Sequence, residues 1–157
     1  MTRFPRRPPR LERVFPRDNA PIYFVTFCTY RRGSWLARDP VHRAFIQFGE
    51  AAAERFRTGI GRYVIMPDHI HLFVCGGPEF VLGRWIGGLK QALARAAEKP
   101  STGGTPWQEG CFDHLLRNDE SMSAKWDYIR ENPVRAGLAA TAEEWPYQGE
   151  IVRLDRA

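Results

Sequence analysis

The order of segments along the chain, βαββαβα, predicts an α+β fold: a ferredoxin-like (split βαβ) antiparallel sheet with helices and an additional C-terminal helix. Three observations carry that expectation. Residues 62–76 hold two apolar runs, 63–66 and 70–74, on either side of Pro67-Asp68. Pro presets the first position of a turn and Asp tolerates the second, so the stretch reads as a tight β-hairpin. Apolar residues at helical spacing flank it: Val41, Phe45, Phe48, Ala52 and Phe56 before, and Leu82, Trp85, Ile86, Leu89 and Leu93 after. A run of β-branched and aromatic residues, 22–29, precedes both and reads as the first strand.

The remaining elements follow in order. Arg31-Arg32-Gly33 turns the chain out of the first strand. Asp39-Pro40 supplies an N-cap and a first-turn proline for the first helix, and Gly59 is its expected stop. Gly76-Gly77-Pro78 breaks the hairpin, and Gly87-Gly88 sits inside the second helix, where glycine weakens helical order. Residues 100–106 read as a Ser/Thr/Gly loop, 107–117 as one or two strands with His114, and a last helix runs from Asp119 to Asn132-Pro133. The 157 residues suit one domain with a real core. The division is a basic Pro/Arg-rich arm over 1–21, one folded domain over 22–147 and a tail over 148–157.

Side chains alternate between the faces of a strand. After the hairpin turn, Ile70, Leu72 and Val74 therefore point to a core, while His69, His71 and Phe73 point to the other face. Two imidazoles two residues apart on a strand can grip one ion, and the strand holds them in place without further cost. The same pair would also serve as ordinary half-buried histidines. In the expected topology this strand is central, which suits a preorganised site.

A formal charge of +5 and a pI near 9.4 favour a polyanionic partner, nucleic acid being the commonest. Arg6, Arg7 and Arg10 belong to an arm that also holds Arg3, Arg13 and Arg17 among five prolines. Such an arm lies along phosphates or remains a solvated tail. Cys28, Cys75 and Cys111 make an odd number with no Cys-x-x-Cys pair, which points to a reducing, cytoplasmic compartment and away from a disulfide scaffold. No apolar run approaches the ~20 residues that span a bilayer, and no apolar stretch follows the basic N-terminus as in a signal peptide.

In the last helix, Met122, Trp126, Ile129 and Pro133 keep helical spacing and form its core stripe. Tyr128 lies about a quarter-turn off that stripe at roughly 100° per residue. Lys125 and Asn132, three before and four after it, share its face. Alone, such a tyrosine reads as a surface residue. Combined with a histidine clamp, it suits phosphodiester chemistry. A phenol, with a pKa of about 10, is a poor nucleophile at neutral pH. A divalent ion on the phosphoryl oxygens makes phosphorus more electrophilic and stabilises the developing charge. Attack by tyrosine would leave a phosphotyrosyl bond that conserves the energy of the broken linkage, so strands rejoin without ATP.

Met66-Pro67-Asp68-His69-Ile70-His71-Leu72 resembles the His-hydrophobe-His (HUH) motif of single-tyrosine transposases. Tyr128-Ile129-Arg130-Glu131-Asn132-Pro133-Val134-Arg135-Ala136-Gly137-Leu138 resembles the tyrosine-helix signature of the REP-associated tyrosine transposases, and Trp107-Gln108-Glu109, Phe112-Asp113-His114 and Leu116-Arg117 are also similar to that group. The resemblance covers most of 20–147, and its tyrosine-helix motif is the most specific part. It implies a nicking and joining enzyme for single-stranded hairpin DNA, with Tyr128 as nucleophile, His69 and His71 as ligands of Mg2+ or Mn2+, and Asn132 as third ligand. Pro133 disfavours helical geometry at Asn132, which would instead let that side chain cap the helix. Arg31, Arg32, Arg84, Lys90, Arg95, Arg117, Lys125 and Arg135, with the arm arginines, are the candidates to hold the DNA backbone. The implied location is cytoplasmic and nucleoid-associated; monomer and homodimer stay open. Two departures stand out: Asp68 where Asn is frequent, and the Gly87-Gly88 pair.

Other classes fit less well. A cupin wants a Glu about four residues past His-x-His, where Cys75 and Gly76 stand. The metallo-β-lactamase type wants Asp-His where Leu72-Phe73 stand. Cys75, four strand residues from His71, is about 13 Å away, too far to share a zinc ion. A non-catalytic nucleic-acid-binding module on the same sheet would want aromatics in place of the histidines. A water-using metal-dependent nuclease would cut without a covalent intermediate.

Overall fold

The computed structural model describes residues 20–99, 104–116 and 119–154. Arg6, Arg7, Arg10 and Arg117 lie outside the described residues. Strands β1 (Ile22–Cys28), β2 (Thr58–Ile65), β3 (His69–Gly76), β4 (Phe112–Leu116) and β5 (Gln148–Glu150) form one antiparallel sheet in the order β4-β1-β3-β2-β5. Helices α1 (Asp39–Arg55) and α2 (Leu82–Ala96) connect strands as the split βαβ order requires, and α3 (Asp119–Ile129) and the short α4 (Asn132–Arg135) follow β4.

The alternation of β3 sorts the molecule into two layers of core. Ile70, Leu72 and Val74 pack with Val25 and Phe27 of β1, Phe45 of α1 and Ile86, Leu89 and Leu93 of α2. Phe73 and Cys75 face the other way, with Ile22 and Phe24 of β1, Ile129 of α3, and Val152 and Leu154 near the end of the described chain. Burying each such side chain contributes about 1.5–3 kcal/mol. The tyrosine helix is therefore held on the histidine face by Ile129, against which Met122 and Trp126 also pack.

Three boundaries differ from the sequence expectation, and the stretch after 107 gives one strand where one or two were expected. α1 stops at Arg55 and Gly59 is a strand residue, because Arg57 itself adopts the left-handed turn (φ 49°) that reverses the chain. Phe56, expected on the core stripe, is consequently 71% exposed. The 107–117 stretch gives one strand, β4, and a single bridge between Thr29 and Trp107. The last helix ends at Ile129, and Asn132 opens α4. Pro133 has no N–H to return to the Ile129 carbonyl and its ring crowds that oxygen, so the helix cannot run through. Within the stretch read from the sequence as tail, residues 148–150 form β5, paired with β2, and Val152 and Leu154 beyond it are buried. Gly149 is required there, since a Cβ would stand 2.9 Å from the Tyr63 hydroxyl.

Candidate active site

The site is built at the turn between β2 and β3. The Met66 N–H donates to the His69 carbonyl at 2.8 Å, closing Pro67-Asp68 into a tight loop. Thr29 N–H donates to the Asp68 carbonyl and Leu36 N–H to the Pro67 carbonyl, each at 3.0 Å, so both turn residues are fixed from outside the hairpin. Across the sheet, His69 stands opposite Cys28 and His71 opposite Thr26. The imidazole centroids are 4.8 Å apart and nearly perpendicular.

Each Nδ1 is engaged. That of His71 lies 2.7 Å from the Thr26 hydroxyl, and that of His69 lies 2.7 Å from Asp68 Oδ1. With Nδ1–H donating in both, the Nε2 lone pairs are free for an ion, and among the described residues neither Nε2 makes a hydrogen bond. A ring nitrogen held by a carboxylate or hydroxyl fixes tautomer and orientation for a metal on the other nitrogen. His71 is held neutral as well. Burial foremost, then the charges of His69, Arg32 and Arg135, push its pKa down to about 3. Among the described residues no third His, Cys, Asp or Glu completes a cluster with the pair.

Asp68 is the hinge of a relay that the sequence did not reveal. Its Oδ2 accepts from Arg32 Nε at 2.9 Å, and Arg32 Nη1 reaches the Cys28 sulfur at 3.0 Å. Burial opposes the Asp68 carboxylate, but the hydrogen bonds and charges of His69 and Arg32 outweigh it and hold its pKa below the usual value. Arg31 and Arg32 both take left-handed backbone (φ 49° and 57°), a conformation costing about 1–3 kcal/mol for a non-glycine residue. That turn brings the Arg32 side chain back over the histidine turn.

The tyrosine arrives from α3. Tyr128 is 68% exposed, and the Arg135 guanidinium lies over its ring at 4.2 Å. Arg135 Nη2 also donates to the Tyr128 carbonyl at 2.7 Å and to Asn132 Oδ1. Two links join this assembly to the histidines. The charge of Arg135 is felt at His71, and Lys125 sits 5.0 Å over the Phe24 ring, which stacks on His71 at 5.5 Å. Arg32 thus stands at His69 through Asp68, Lys125 reaches towards His71 through the Phe24 ring, and Arg135 holds Tyr128 and Asn132. Arg84 and Arg95 are exposed on α2, the helix packed against the opposite layer, and Arg31 lies over the Tyr30 ring. Lys90 Nζ donates to the Gln108 and Gly110 carbonyls, tying α2 to the loop before β4. Asp68, Thr26, Phe24 and Cys28 are the site residues that sequence reasoning missed. Only Asp68, adjacent to His69, carried a local signal.

A family described as "Transposase IS200 like" matches residues 19–132. The chain is 39% identical over 139 residues to a "Putative REP-associated tyrosine transposase" of Haemophilus influenzae, covering 80% of this chain and 77% of that protein. It is 28% identical over 90 residues to a "REP-associated tyrosine transposase" of Escherichia coli, covering 56% of this chain and 52% of that one. Among solved structures, one described as a REP-associated tyrosine transposase bound to a REP hairpin shares the fold. Its TM-score is 0.66 at 20% identity, covering 88% of this chain and 81% of that one. No helix among the described residues is long and apolar enough to cross a membrane.

Proposed function

The chain belongs to the IS200-like transposase family, and on that premise we propose that it nicks and rejoins single-stranded hairpin DNA through a covalent bond to Tyr128. The observation that carries this reading is the meeting of two elements on one face of the sheet: a pair of imidazoles with both Nε2 atoms free, and the helix that presents an exposed phenol beside Arg135. The relatives' names support a REP element as substrate, and a solved structure that shares the fold is described as bound to a REP hairpin.

His69 and His71 would hold a divalent ion, Mg2+ or Mn2+, which supplies positive charge to the phosphoryl oxygens and so makes phosphorus more electrophilic. Asp68, an acceptor only, keeps His69 in the ligating tautomer, and Thr26 orients the His71 ring. Arg135, lying over the Tyr128 ring, offers a second cation to the phosphate. The Tyr128 oxygen attacks phosphorus, one bridging P–O bond breaks, and the freed strand end leaves as a hydroxyl. Return of that hydroxyl, or of another strand's, reseals the backbone. Asn132 would be a third ligand; its carboxamide oxygen now accepts from Arg135, so ligation requires that guanidinium to let go. Arg31, Arg32, Lys125 and Arg135 would contact the DNA backbone near the site, and Arg84 and Arg95 further away; the arm arginines would add backbone contacts of their own. A nucleoid-associated cytoplasmic location accompanies this substrate.

The test is incubation of the purified chain with REP-type hairpin oligonucleotides and Mn2+, read on a denaturing gel with and without EDTA. Cleavage that EDTA abolishes supports the reading, and full cleavage in EDTA makes the histidines structural.

A further inference from the structure

At the far end of the hairpin from the histidines, a groove of about 650 Å3 opens between the α1–β2 turn and the β3–α2 connection. Phe56, Arg57, Phe80, Val81, Arg84 and Trp85 line it. It is an unusual surface for an unpartnered monomer. Phe56 is 71% and Val81 54% exposed. The Phe80 and Trp85 rings stand 5.8 Å apart. Gly76 lets Phe80 lie across the end of β3, since a Cβ there would be 2.0 Å from the Phe80 ring. The polar groups are equally unspent. Arg57 and Arg84 are exposed, and neither guanidinium has a hydrogen-bonded or ion-paired partner among the described residues. The Trp85 Nε1–H is buried and without a partner. Glu79 is the acidic member of the lining against two arginines, which leaves the groove net positive.

Rings that can stack, cations without counter-charges and an orphan N–H donor together specify a ligand. An apolar peptide would cover the rings but bring no anion to the guanidinia. An acidic peptide would meet the arginines but not the exposed rings. Single-stranded nucleic acid serves all three, with bases on aromatic faces and phosphates on arginines. The groove is separate from the tyrosine site: seven residue steps along β3 from His69 to Gly76 cover roughly 23 Å at about 3.3 Å per step.

We propose that this groove is a second nucleic-acid site, which holds an unpaired stretch of strand outside the segment processed at Tyr128. Phe56, Phe80 and Trp85 stack bases there, and Arg57 and Arg84 hold the backbone. The inference rests on the DNA-processing function above and adds to it a site for flanking single strand.

The experiment uses the full chain and two probes, a REP-type hairpin and the same hairpin carrying a single-stranded oligothymidine tail, with binding followed by fluorescence anisotropy. The wild type should bind the tailed probe about 10-fold more tightly or better, as stacking of even one base allows. The double variant Phe56→Ala, Arg57→Gln should lose most of that preference, and the salt slope for the tailed probe should fall by about one for the lost cation. In the wild type, 5-bromouracil placed in the tail should crosslink under ultraviolet light to peptides carrying Phe56, Phe80 or Trp85. Intact hairpin binding with no gain from the tail, or crosslinks confined to other peptides, overturns the groove and leaves the function standing. Binding of free oligothymidine with the crosslink at the groove, but no recognition of the hairpin, keeps the groove and overturns the function.

Discussion

Asp68 shows how one side chain decides whether a His-x-His pair is a clamp or two half-buried rings. With one oxygen it holds His69 Nδ1 and with the other it is held by Arg32. Asp68→Ala should leave His69 free to rotate and to change tautomer, raising the Mn2+ concentration for half-maximal cleavage by about 10–100-fold. Asp68→Asn, whose carboxamide oxygen can accept the same N–H, should keep much of the affinity. An unchanged metal titration in Asp68→Ala would separate Asp68 from the site. The second residue in question is Asn132, whose oxygen accepts from Arg135 and would have to leave it to reach the proposed ion. Asn132→Ala should also raise the metal requirement; a drop in thermal stability alone would make Asn132 a partner of Arg135 and not a ligand. The histidine pair and the tyrosine could be singled out as candidates in the sequence because each sits in a short motif. The contact of Arg32, singled out only as a DNA-backbone candidate, with Asp68 was not legible, nor was Thr26, since these partners meet across 36 and 45 residues of chain. Only the register of β1 on β3 brings those partners together.

At the scale of elements, the two helices against the main core make opposite predictions about glycine. A Cβ at Gly87 of α2 would meet nothing within 4 Å, so Gly87→Ala should raise stability by about 0.5–1 kcal/mol through the helix backbone alone. A Cβ at Gly49 of α1 would lie 2.4 Å from Ile151 Cδ1 and 3.1 Å from Ile60 Cδ1. Gly49→Ala should therefore destabilise by about 1–3 kcal/mol, as overpacking does. Denaturant melts of the two variants check the pair, and the same sign for both would contradict the packing described. The periodicity that placed α1, α2 and the two faces of β3 was readable because long apolar stripes average over many residues. β5 was not readable: three residues, Gln148–Glu150, carry no period, and what fixes them is Trp145 Nε1 donating to the Ile65 carbonyl and Tyr147 accepting from Ile65 N–H. The end of α1 was misjudged for a related reason. Gly59 was the obvious stop, yet Arg57 makes the left-handed turn.

For the whole molecule, the buried polar pair between α1 and β2 makes stability depend on pH. His42 Nε2 and the Tyr63 hydroxyl are 2.7 Å apart, and burial lowers the His42 pKa to about 4. The unfolded chain takes up this proton near pH 6.5, so it binds more protons than the fold between about 4 and 6.5. The stabilising contribution is complete above that window and lost as pH falls through it, on the order of 3 kcal/mol in full. Thermal melts should show His42→Gln losing less stability than the wild type between pH 6.5 and 4, and parallel curves would remove His42 from the explanation. The larger claim is that the sheet exists to bring Tyr128 to the histidine turn. It is tested most directly by mass spectrometry of the chain after reaction with a REP-type hairpin and Mn2+. The wild type should carry an oligonucleotide on the peptide containing Tyr128, and Tyr128→Phe, which keeps the fold and loses only the hydroxyl, should carry none and cut no DNA. Cleavage by Tyr128→Phe at the wild-type rate, or an adduct on another residue, would contradict it.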